Sequence, residues 1–104
     1  MLRKPPKGVV KGETTHIFLI KKVEGARPSA AKRKEDENSV NNLVKSEGGR
    51  CRLYSTRTKG APFDFVSVIA GVSAAAARRI AAEIDRPGTV KATIVSGVEV
   101  FSNP

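Results

Sequence analysis

The sequence predicts an α+β fold: one four-stranded antiparallel sheet carrying two helices on one of its faces. Two observations lead there. Four short runs rich in β-branched and aromatic residues alternate with two helical stretches in the order β-α-β-β-α-β. Breakers stand at every junction: Glu24-Gly25, Gly48-Gly49, Lys59 to Pro62 and Pro87-Gly88.

Residues 1–13, MLRKPPKGVVKGE, have no periodicity and contain Pro5, Pro6, Gly8 and Gly12, so they read as a flexible basic arm. Residues 14–104 then form a single domain, as expected for a chain of 104 residues. The first strand is THIFLIKKV, from Thr15 to Val23. Pro28-Ser29 opens a helix that runs to about Gly48. Its apolar stripe is narrow: Val40, Leu43 and Val44, carried back through Glu37, Arg33 and Ala30. RCRLYSTRT, residues 50–58, alternates as a second strand. It puts Arg50, Arg52, Tyr54 and Thr56 on one side and Cys51, Leu53 and Ser55 on the other.

Lys59 to Pro62 turns into a third strand, Phe63 to Ala70. Ser73 caps an alanine-rich helix through Asp85 whose Ala77, Ile80, Ala81 and Ile84 share a face. TVKATIVSGVEVF closes the chain as a fourth strand, with Gly97 inside it suggesting a bulge or a close backbone approach. Two split βαβ units of this kind make a ferredoxin-like βαββαβ domain. Both helices lie on one face. The other face still carries apolar residues, because the first, third and fourth strands are apolar on both alternating sets. An exposed apolar sheet face is an interface signal, and a homodimer packed sheet to sheet is the economical cover.

Composition narrows the function classes. Nineteen basic residues against ten acidic ones give a net charge of +9, which favours polyanions or acidic partners. Four of those charges, Arg3, Lys4, Lys7 and Lys11, sit in the N-terminal arm, and the rest are scattered. Nucleic-acid binding is therefore kept as an alternative and not preferred. The single cysteine, Cys51, excludes an intrachain disulfide and a cysteine zinc cluster. It reads as a small core filler, and an unpaired thiol fits a reducing cytoplasm. No apolar run approaches the length of a membrane span, and no signal-peptide pattern is present.

The segment Gly60-Ala61-Pro62-Phe63-Asp64 carries a resemblance. With Gly48-Gly49 ahead of it, the alanine helix after it, and Gly88, Val90 and Thr93 beyond, it resembles the GYD-domain family over about residues 15–101. Those small bacterial proteins are similar to the dimeric α+β barrel group. The turn here is one residue longer than the family spacing, and Phe63 stands where a tyrosine is expected, so no tyrosine hydroxyl is on offer. The ligand-sensing domain of leucine-responsive-type regulators has a similar element order. There it usually follows a helix-turn-helix, for which thirteen preceding residues are too few. The resemblance implies a dimeric barrel holding a small ligand and supplies no chemistry of its own.

Candidate site residues are His16, Arg52, Tyr54, Phe63 and Asp64. Asp64 is either a turn fastener accepting backbone N–H groups or a proton-handling acid facing a cavity; the turn is the preferred reading. His16, the one histidine, is either a strand-end residue or a base paired with Asp64. That pair would make a small cofactor-free enzyme, and it requires both side chains on one sheet face. Arg52 and Tyr54 either decorate an edge strand or close the rim of a small-molecule pocket. No metal ligand set or cofactor motif is legible. The leading expectation is a non-catalytic, cytoplasmic homodimer that binds a small ligand.

Overall fold

The computed structural model describes residues 14–100 and Asn103; the predicted arm at 1–13 and Phe101 of the last strand lie outside the described residues. The elements are β1 (Thr14–Lys22), α1 (Ala30–Ser46), β2 (Arg50–Ser55), β3 (Phe65–Ala70), α2 (Ala74–Asp85) and β4 (Val90–Val98). All four strands are in one sheet, in the spatial order β2-β3-β1-β4, with every neighbouring pair antiparallel. This is the ferredoxin-like βαββαβ arrangement that the sequence predicts.

Both helices start on a serine. Ser29 accepts a hydrogen bond from Lys32 N–H and Ser73 from Ala76 N–H, so each cap satisfies an otherwise orphaned donor. Helix α1 ends where Gly49 N–H reaches back to Val44 O at 2.9 Å, with Gly48 in the left-handed region at φ +75°. The two glycines serve different needs. Gly48 supplies the backbone turn, whereas a Cβ on Gly49 would lie 2.5 Å from Val72 Cγ1.

The core lies between the helices and one face of the sheet. Phe18, Ile20 and Ile69 from the strands meet Ala76, Ala77, Ile80 and Ile84 of α2, and Val44 of α1. Helix α2 packs on β4 and β1, while α1 packs on β2 and α2. Helix α1 contributes a single fully buried side chain, Val44, in keeping with its narrow stripe. Its polar flank is tied to α2 instead: Ser39 Oγ donates to Glu83 Oε1 at 2.6 Å, and Arg86 Nε donates to the same oxygen at 3.0 Å. Those two bonds, the Ser39 hydroxyl first, hold the Glu83 carboxyl below its ordinary range.

Three local expectations need correction. Cys51 is exposed and not a core filler, because α1 packs on β2 without burying any residue of that strand. Its sulfur instead lies 3.2 Å from Ser67 Oγ, a buried hydroxyl of β3. Gly97 makes no bulge: it pairs in regular register with Thr15, and a Cβ there would meet nothing within 4 Å. Strand β3 starts at Phe65 and not at Phe63. Thr56 Oγ1 donates to the carbonyls of Phe63 and Asp64, at 2.8 and 3.0 Å, which shapes the turn leading into the strand.

Candidate functional site: the open face of the sheet

The register decides which candidates can act together. Across β3, β1 and β4 the aligned residues are Ile69, His16 and Ser96, then Ser67, Phe18 and Ile94. Paired residues share a face, so these rows belong to the helix-covered side. The alternate rows form the open side. One runs Arg52, Val68, Ile17, Val95, and the next runs Tyr54, Val66, Leu19, Thr93.

His16 is thus beneath the helices, 1% exposed. Its Nε2 lies 3.2 Å from Val72 O, and its Nδ1 lies 2.7 Å from Ser96 Oγ. A carbonyl can only accept, so Nε2 carries a hydrogen, and in the neutral ring Nδ1 accepts the serine hydroxyl. Neither nitrogen is left to take a proton from a ligand. The histidine instead ties β1 to β4 and to the loop that enters α2.

Asp64 lies at the opposite end of β3. Five residues separate it from Ile69, the partner of His16, which is roughly 16 Å of extended strand. Its N–H donates to Ile20 O, its carbonyl accepts Thr56 N–H, and its Oδ2 accepts Lys22 N–H at 2.7 Å. Asp64 is the fastener of the strand entrance. The structure does not bring His16 and Asp64 together.

Arg52 and Tyr54 do face one side together, on the edge strand β2 beside Val68 and Val66. Between them and β4 runs an apolar stripe of Ile17, Leu19, Val66, Val68 and Val95, in which Ile17 is 36% and Val95 49% exposed. Phe63 lies at the end of this face. It lines a cleft of about 290 Å³ together with Lys21, Lys22, Val23, Lys91 and Thr93. Apart from Thr93, which enters the family resemblance, those residues do not stand out in the sequence, because lysines and a valine at strand ends look like ordinary strand residues. Only the pairing of Lys21 with Lys91 and of Leu19 with Thr93 gathers them.

No family model matches the chain, and no curated protein matches it in sequence. Among solved structures the chain is similar to a crystal structure of a protein from Shewanella loihica PV-4 whose monooxygenase assignment is provisional. The two superpose with a TM-score of 0.55 at 15% identity, over 86% of this chain and 96% of that one. Likeness at that identity establishes a common fold and leaves the chemistry open. Among the described residues no helix is long and apolar enough to cross a membrane.

Proposed function

We propose that the chain is a non-catalytic dimeric α+β barrel protein, similar to GYD-domain proteins, which pairs sheet to sheet and holds a small ligand between or beside the sheets. One observation carries the reading. The open face presents a continuous apolar stripe, Ile17, Leu19, Val66, Val68 and Val95, flanked by Arg52, Tyr54 and Thr93. An apolar centre with a polar and aromatic margin is the composition of an interface. Packing that stripe on its own two-fold copy covers it without a second gene product.

The monooxygenase assignment of the structural neighbour is not carried over. The enzymatic alternative needs His16 as a base beside Asp64; His16 has both nitrogens engaged and points away from the open face. Sedimentation velocity over a hundredfold range of protein concentration tests the proposal. A dimer that Ile17→Lys converts to a folded monomer is the expected result. A monomer at every concentration overturns it.

A further inference from the structure

The end of the open face holds a feature that dimer packing does not require. The β1–β4 register sets Lys21 directly opposite Lys91. Directly opposed side chains have Cβ atoms only about 5 Å apart, and like charges in that position destabilise a sheet. Neither lysine makes an ion pair among the described residues. Two acids directly follow cleft residues in the chain: Glu24, which makes no ion pair among the described residues, and Asp64, which commits its Oδ2 to the Lys22 backbone. Lys22 also borders the cleft, but its ammonium lies over the Phe65 ring, 5.6 Å from the centroid. Two lysines without an ion pair among the described residues therefore line, from adjacent strands, a cleft whose other walls are Lys22, Val23, Phe63 and Thr93.

We infer that this cleft is a binding site for a small organic anion, one carboxylate or phosphate on a compact apolar body. A single anionic group placed between Lys21 and Lys91 meets both ammoniums in charge-assisted hydrogen bonds and relieves their mutual repulsion. The half-buried Phe63 ring and Val23 give the apolar body a wall. The volume of about 290 Å³ is at the low end for ligand pockets and suits a molecule of one or two rings. The site names the ligand class in the function proposed above, yet it stands without the dimer, since one chain supplies all of its lining.

The experiment is calorimetric titration of the full chain with 2-naphthoate and 2-naphthyl phosphate as the two anionic probes. The neutral 2-naphthylmethanol and inorganic phosphate are run beside them. Saturable one-to-one binding of at least one naphthyl anion is expected, weakening as sodium chloride is raised. Lys21→Gln and Lys91→Gln should each weaken it about tenfold, the effect of losing one charge-assisted bond. Phe63→Ala should weaken the naphthyl anions and leave inorganic phosphate unchanged. Lys91→Glu should abolish anion binding while raising the melting temperature of the ligand-free chain, because it turns a repelling pair into an attracting one. That second readout keeps the test decisive if any other variant fails to fold.

Several results overturn the site: no binding of either naphthyl anion, equal binding of the alcohol, equal binding of inorganic phosphate, or indifference to both glutamine variants. Comparison of the two naphthyl anions assigns the head group. Sedimentation of the same samples separates the two proposals. Anion binding by a monomer retains the site and removes the dimer, and a dimer that ignores the anions does the reverse.

Discussion

Phe18 and Ile17 are neighbours in the chain and live in different solvents. Phe18 has no exposed surface, sealed under α2, while Ile17, one peptide further back, is 36% exposed on the open side. The pleat sends successive side chains to opposite faces, so one strand serves two surfaces with different tasks. The covered face holds the fold together. The open face is apolar without being needed for that, which is why it carries the functional proposals. A polar residue is treated differently on the two sides as well. His16 under the helices has both nitrogens bonded, whereas Lys21 and Lys91 on the open side face each other without an ion pair among the described residues.

The contrast between the faces breaks most readily at those two neighbours. Phe18→Ala should cost about 3–5 kcal/mol in urea denaturation, as large cavities in cores do. Ile17→Ala, judged on the folded monomer, should cost less, about 1–2 kcal/mol, because Ile17 keeps 36% of its surface in water and no helix closes a cavity over it. Equal losses would mean that both faces contribute alike to the stability of a single chain. The glycines sharpen the same point at smaller magnitude. Gly49→Ala drives a methyl into Val72 and Val44 and should cost about 1–3 kcal/mol. Gly97→Ala, which meets nothing, should be neutral or stabilising by up to about 1 kcal/mol. Thermal melts of the two variants side by side are the check.

Smaller still is the loss of a cap on the helix layer. Ser73→Ala should cost about 1 kcal/mol and Ser29→Ala a comparable amount or less, read from urea midpoints. The smallest effect concerns how the two helices are joined. Glu83 has its pKa lowered, first by the Ser39 hydroxyl and then by Arg86. A carboxyl with a lowered folded-state pKa stabilises the protein above its ordinary value of 4.5 and loses that contribution as pH falls through the folded-state value. Ser39→Ala should therefore reduce stability at neutral pH and narrow the difference from the parent chain below pH 4.5. A difference that does not change with pH would remove the Ser39–Glu83 bond from the account.

Much of the fold is legible in the residues. Ser29 and Ser73 before their helices, the Gly48-Gly49 stop and the β-branched run at Thr15 to Val23 are local signals, and local geometry answered them. The inward face of the alanine helix was legible for the same reason: Ala77, Ile80 and Ile84 recur at helical spacing. Cys51 illustrates the limit. Its pairing with Ile69 puts it on the helix side of β2, but only packing reveals that the contact with α1 leaves every residue of that edge strand exposed.

The candidate site was legible in part. Arg52 and Tyr54 share one face, as their alternation along the strand suggests, whereas the cleft beside Phe63 is seen only in the structure. Lys21 and Lys91 were invisible because seventy residues separate them in the chain. Asp64 could be understood as a turn acid from the glycine and proline before it, although its partner, Lys22 N–H, could not be foreseen.

By itself the sequence determined the order of elements, their caps and stops, and the fact that the sheet is apolar on both sides. These follow from propensity and periodicity, which act over a few residues. Tertiary structure alone decided which residues stand opposite one another. A strand's side chains alternate with period two, so a shift of one residue in register would exchange every side chain between the faces. That pairing put His16 under the helices, kept Asp64 at a strand entrance about 16 Å away, and brought two lysines face to face.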